Sequence, residues 1–306
     1  MRSGTPALAA GLLAACLLAG CGGQAERRAI TPLPTVPGQS IEESATPVRP
    51  TPSPTRAPRP TTTRAPAPTA AGTVPPSWLG HRVLPKTGSG FGEVRKTPKV
   101  LRERRFTLHD TVPALPGNGF AARIAAPAPR DVVARSSWRP DCPVAAGDLA
   151  WLRLAFWGFD DRRHTGELLV HTDVARDVVS VFEHLYQAKF PMEELNIVTR
   201  DELDAPPTGD GNETTAFACR ATTGGTTFSQ HAYGLAIDVN SFQNPYVDGD
   251  LVLPELASAY RDRDLIRPGM IEESGPVVRA FASVGWEWGG NWETVKDYQH
   301  FSQNGL

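Results

Sequence analysis

Two short stretches late in the chain hold the residues best suited to chemistry. One runs Ser229-Gln230-His231-Ala232-Tyr233-Gly234-Leu235-Ala236-Ile237-Asp238, the other Asp297-Tyr298-Gln299-His300-Phe301. His231, Asp238 and His300 make a set of two imidazoles and one carboxylate, and Asp297 stands three residues before the last of them. Catalytic zinc asks for three protein ligands, one position left for water and a general base close by. Calcium fits poorly, because it seeks oxygen ligands rather than imidazole. Zn2+ is the expected metal, and Asp297 the expected base that takes a proton from the attacking water.

The spacing says how such a site must be built. His231 and Asp238 are seven apart, which suits a loop running into a strand rather than one helix face. Gly234 lets the backbone turn between them. Ser229 can hydrogen-bond locally and hold the loop. His300 comes 62 residues after Asp238, so it must arrive on another element.

The surrounding elements follow from periodicity. The stretch 171–190 reads as a helix: Thr172 is a candidate N-cap, and Val174, Val178, Val181 and Leu185 share a face before Pro191 ends it. The stretch 274–284 reads as a second, with Pro276 in its first turn and Gly285 past its end. Leu195 to Thr199 and Leu235 to Val239 read as strands, Asp238 pointing away from Ile237 and Val239. Strands and helices do not alternate regularly, so the expected class is α+β with an antiparallel sheet and flanking helices. The folded domain is expected over 131–306, long enough for one core. Residues 78–130 read as an extended arm packed on it. The arm's basic residues, Arg95, Lys96, Lys99, Arg102, Arg104 and Arg105, read as a solvated face.

Three groups of residues carry a family resemblance. They are Phe217-Ala218-Cys219-Arg220, the pattern Ser229-x-His231-x-x-Gly234-x-Ala236-x-Asp238, and Asp297-x-x-His300-Phe301. Together they resemble the D-alanyl-D-alanine carboxypeptidase and L-alanyl-D-glutamate endopeptidase family of zinc peptidases, which have the hedgehog/DD-peptidase fold. The resemblance runs from roughly Arg135 to Ser302 and takes in Trp157-Gly158-Phe159, His164 to Leu168 and Trp286-x-Trp288-Gly289-Gly290-x-Trp292. It implies His231, Asp238 and His300 as zinc ligands and Asp297 as general base. It implies Arg220 as a catalytic and substrate-binding residue that steadies a substrate carboxylate or the developing oxyanion. Ser229 joins Arg220 as an expected substrate contact. The implied substrate is a peptidoglycan stem peptide. The competing reading is a zinc-containing wall-binding domain of the same fold without catalysis, but such a domain would be free to lose Asp297. Trp286, Trp288 and Trp292 read as core, and His164 as a structural histidine or a pocket residue.

The N-terminus speaks to location. Arg2 precedes an apolar run from Ala7 to Gly20, too short to span a bilayer and shaped like a secretory signal. Leu18-Ala19-Gly20-Cys21 resembles the lipobox of bacterial lipoproteins. That resemblance implies cleavage after residue 20, a lipid on Cys21 and a protein held on the outer side of the cell membrane facing the wall. Residues 21–77 are rich in Pro, Thr, Ala, Ser and Arg and cannot bury enough apolar area to fold, so they read as a tether. Extended, it would span on the order of 150 Å at about 3.1 Å per residue. Cys142 and Cys219 are the two cysteines left in the exported part, and an even count outside the cytoplasm points to a disulfide. The competing role is metal ligation, which their 77-position separation disfavours, since structural zinc prefers closely spaced cysteines. The formal net charge of −2 gives no case for nucleic acid.

Overall fold

The computed structural model describes residues 72–306. The expected signal (1–20), the lipidation site Cys21 and most of the expected tether lie outside the described residues. The main sheet comes from four strands: β1 (Ala122–Ala125), β2 (Leu149–Gly158), β3 (Arg163–His171) and β4 (Pro191–Met192). β1 and β3 flank β2 antiparallel, and β4 adds a short parallel pair at its end. β2 and β3 form a long hairpin, from Leu149 opposite His171 to Trp157 opposite Arg163. Its inward face carries Ala150, Leu152, Leu154 and Phe156, alternating with Trp151, Arg153 and Trp157 on the other. Neither strand was assigned from the sequence.

Helix α2 (Ala175–Gln187) covers that inward face. Val174, Val178, Val181 and Leu185 are buried as their spacing predicts, and each such side chain contributes roughly 1.5–3 kcal/mol. The helix begins differently from the expectation. A 3-10 turn over Thr172–Val174 precedes it, and His171 caps that turn, its Nδ1 accepting from the Asp173 N–H at 3.2 Å. Helix α4 (Pro276–Ala282) packs beside α2, started by Pro276 and closed by Gly285 in the left-handed region.

The opposite face of the hairpin holds a second cluster. Helix α1 (Arg130–Arg135) supplies Val132 and Val133, which meet Leu149, Leu169, Ile197 and Phe217. Cys142 and Cys219 are disulfide-bonded within it. The bridge closes a loop of 77 positions, so reducing it or replacing both cysteines with serine should lower unfolding free energy by about 2–4 kcal/mol. Chemical denaturation with and without reductant measures this. The expected strand at 195–199 is extended backbone without a ladder. Its bonds go to three different segments, through Glu167, Thr214 and Ser137. Short α3 (Arg200–Asp204) follows, with a capping box between Thr199 and Glu202.

Two smaller sheets carry the C-terminal part. β5 (Ala236–Asp238), β10 (His300–Ser302) and β8 (Glu287–Trp288) form one. β7 (Leu251–Leu253), β6 (Tyr246–Asp248) and β9 (Lys296–Asp297) form the other. Phe301 of β10 stacks on Phe281 of α4 with ring centroids 4.0 Å apart, anchoring the first of these sheets to the helices. Trp286 and Trp288 are buried, and Trp292 is half-buried against His300. The architecture is α+β with antiparallel pairing and flanking helices, the class the resemblance implied.

The arm belongs to the core. Leu84, Leu101 and Phe106 pack with Phe242, Val252, Leu256, Tyr260 and Met270. The chain is already packed at Gly72, whose carbonyl accepts from the Arg105 N–H. Arg104 departs from the expected solvated face. It is 2% exposed, its guanidinium donates to both oxygens of Glu193 at 2.7 and 2.6 Å, and it lies against the rings of Phe106 and Phe242. A buried guanidinium needs this full set of partners, because an unpaired charge there would be too costly.

Candidate metal centre

Strand register explains how distant residues meet. In the β5–β10 pair His300 stands directly opposite Asp238, so their side chains share one face across the ladder. His231 comes from a 3-10 turn (Gln230–Tyr233) that leads into β5. Ser229 caps that turn, its hydroxyl accepting from the His231 N–H at 3.3 Å. Gly234 closes it at φ 70°, and its carbonyl accepts from the His171 N–H at the end of β3. A Cβ on Gly234 would lie 2.5 Å from the His171 nitrogen. Gly234→Ala should therefore cost about 2 kcal/mol or more and displace His231. Thermal unfolding and zinc titration of that variant measure both effects.

The three ligand atoms are already gathered. His231 Nε2 lies 3.2 Å from both Asp238 Oδ1 and His300 Nδ1, and His300 Nδ1 lies 3.1 Å from the same oxygen. The outer nitrogens are committed elsewhere. His231 Nδ1 pairs with the Ala216 carbonyl at 2.6 Å, and His300 Nε2 with the Leu306 carbonyl at 3.1 Å. A carbonyl only accepts, so each outer nitrogen must carry the proton. In the neutral rings both inner nitrogens are then lone pairs, facing a carboxylate that also only accepts. Three buried acceptors turned toward one point with no donor call for a cation, and two imidazoles with one carboxylate suit zinc. No other His/Cys/Asp/Glu group among the described residues gathers this way.

The charges show the same strain. Burial lowers the affinity of His231 for a proton, and the neighbouring Asp238 only partly restores it. Burial would raise Asp238, yet the two imidazoles and their hydrogen bonds hold its carboxyl well below the usual range. His300 is raised despite burial, because Asp238 bonds to it and faces it with negative charge.

Asp297 sits on β9 opposite Tyr246 of β6. Its Oδ1 is buried without a hydrogen-bond partner. Burial, then the charge of Asp238, push its carboxyl up to about 7, against pulls from His300, Arg220 and Gln299. Gly289 lies hard against it: a Cβ there would come 3.0 Å from the Asp297 Cβ and 3.3 Å from that of His300.

These groups open on one cleft of about 830 Å³, lined by His231, Asp238, Asp297, Gln299, Arg220 and Tyr246. The Arg220 guanidinium donates to the Ala221 carbonyl at 3.1 Å and makes no ion pair among the described residues. Ser229 is buried, its hydroxyl holds the His231 N–H, and it is not among the residues that line the cleft. His164 is held between Asp110 and Asp160 at 2.7 and 3.0 Å and does not line the cleft.

Residues 223–303 match the model of the D-alanyl-D-alanine carboxypeptidase family. The matched stretch holds all three gathered ligands, Asp297 and Gly234. Arg220 and the disulfide lie before it. No curated protein and no solved structure matches the chain.

Sequence reasoning missed much of the cleft wall. Glu194 and Glu213 stand there; burial, then the charge of Glu213, raises Glu194 to about 8, and burial, then the charges of Glu202 and Asp238, raises Glu213 to about 7. The Glu213 side chain is open to water in the cleft, which tempers its rise. The Ala216 and Leu306 carbonyls are backbone partners with no side-chain signature.

Proposed function

We propose that this chain is a zinc-dependent peptidase that hydrolyses peptidoglycan stem peptides, of the D-alanyl-D-alanine carboxypeptidase or L-alanyl-D-glutamate endopeptidase type. One observation carries the reading: His231, Asp238, His300 and Asp297 line or border one cleft, on the stretch that matches the carboxypeptidase family. Bound zinc would supply a Lewis acid for the scissile carbonyl and bring the pKa of water to about 7. The chain's own residues do the rest. Asp297 takes the proton of the attacking water and returns it to the leaving amine, a role that its place in the cleft beside the gathered ligands allows. Arg220, a permanently charged fork with no acid partner among the described residues, steadies a substrate carboxylate or the oxygen that gains charge. The Ala216 and Leu306 carbonyls fix both imidazole rings in the ligating tautomer.

The N-terminal sequence supports a lipid on Cys21 and a wall-facing position outside the membrane, with the Pro/Thr-rich stretch as tether. Cys21→Ser should then release the protein from the membrane fraction; continued membrane association would sink the anchor. For the activity, stem-peptide fragments are incubated with the full chain, with and without a zinc chelator, and analysed by mass. Chelator-sensitive loss of alanine indicates a carboxypeptidase, and release of a longer fragment an endopeptidase. Binding without cleavage by zinc-loaded protein would favour the wall-binding domain.

A further inference from the structure

The cleft reaches beyond the stretch that matches the peptidase family. Its far wall is made by the arm, through Leu79, Gly80 and Phe91. The arm is held there at several points. The Gly80 N–H donates to the Asp210 carboxylate at 3.1 Å, the Leu84 N–H to the Pro207 carbonyl at 2.8 Å, and the Gly92 N–H to Glu255 Oε1 at 2.6 Å. Buried Arg104, fastened to Glu193 and to the Asp210 carbonyl, pins the arm again twelve residues after Gly92. This is a fixed wall rather than a loose strap. Leu79 and Phe91 are only half-buried, so part of each side chain remains open in the cleft.

A site that clipped one terminal residue would need little beyond the ligands, Asp297 and Arg220. A continuous cleft of about 830 Å³ is the size that holds a much larger ligand. We propose that the arm is part of the substrate site: Leu79 and Phe91 contact the section of the peptide that lies beyond the scissile bond. This rests on the peptidase reading and deepens it. The charge along the way says what that section carries. The cleft lining also holds Glu194 and Glu213, which form no ion pair among the described residues. An amino group on the bound peptide complements Glu213, whose side chain is open to water in the cleft.

The test is equilibrium binding to the zinc-loaded full chain, with Asp297→Asn as background so that nothing is turned over. Two probes suffice: the dipeptide D-alanyl-D-alanine, and a synthetic pentapeptide ending in it with lysine in the middle position. Phe91→Ala should weaken the pentapeptide about tenfold and leave the dipeptide unchanged. Phe91→Leu, which keeps apolar bulk, should retain most of the affinity and shows that the effect is contact rather than unfolding. Acetylating the lysine should weaken the pentapeptide, and Glu213→Gln should shrink that difference. Equal losses for both probes, or none for the pentapeptide, would overturn the role of the arm. An acetylated pentapeptide that binds as well as the free one would overturn the amino-group preference. If neither probe binds the protein without these changes, the peptidase reading itself fails; if both bind and Phe91→Ala is silent, only the subsite fails.

Discussion

Asp297→Asn should leave zinc bound and reduce hydrolysis by about 10²–10⁴-fold, the range of a lost general acid–base. The side chains are nearly the same size, and Asp297 is not one of the three gathered ligands, so the metal content should stay at one per chain. The loss should also change the pH profile. A base works only when deprotonated, and burial with the charge of Asp238 raises this carboxyl to about 7. A cation at the centre pulls it down, so activity should rise with pH along a limb at or below 7, and that limb should vanish in the variant. Stability moves the other way. The folded value, about 7, exceeds the ordinary 3.8, so the metal-free fold binds an extra proton between these values. Its stability falls as pH rises through that window, and the asparagine, which never ionises, escapes the loss. Metal-free Asp297→Asn should therefore melt higher than the unsubstituted protein at pH 8. Metal analysis, rate profiles and melts are the checks; undiminished turnover would remove Asp297 as the base.

How much of this could be read beforehand depended on distance along the chain. His231 and Asp238 were legible because a turn and a strand bring residues seven apart together without help from elsewhere. The helical face of Val178, Val181 and Leu185 was legible for the same local reason. The β2–β3 hairpin escaped notice although it is the longest pairing. Both of its faces are covered, so β2 is apolar almost throughout and β3 mixes polar and apolar residues, neither with a clean alternation, and its turn, Phe159 to Arg162, lacks a glycine, with Asp161 taking the positive φ instead. The reading of 195–199 as a strand failed because extended residues there bond to separate segments rather than one neighbour. Arg104 and Phe91 were opaque for a different reason. Their roles come from partners far along the chain, Glu193 for one and the cleft wall for the other, and no local pattern announces them.

Asp238→Ala should abolish zinc binding and all hydrolysis together, the largest loss expected of any single change. Asp238 is the only anion among the gathered ligands, and its Oδ1 lies within 3.2 Å of both imidazole nitrogens. Without it two neutral rings remain in a buried pocket, and burial already disfavours charge on His231. The readout need not involve catalysis. A ligand at 100 times its Kd stabilises the folded state by about 2.7 kcal/mol, so zinc should raise the melting temperature of the unsubstituted protein and leave that of the variant where it was. The acid side of the metal-free profile should change as well. The imidazoles hold the Asp238 carboxyl well below its ordinary range, which stabilises the fold above about pH 4 and is lost as pH falls further. The variant has no such contribution to lose, so its melting temperature should depend less on pH below about 4. Retention of one tightly bound zinc per chain by Asp238→Ala would show that the metal sits on other residues. Asp238→Asn, which keeps the shape but not the charge, should bind zinc more weakly than the unsubstituted protein and more tightly than the alanine variant. That order would separate the contribution of the anion from that of filling the pocket.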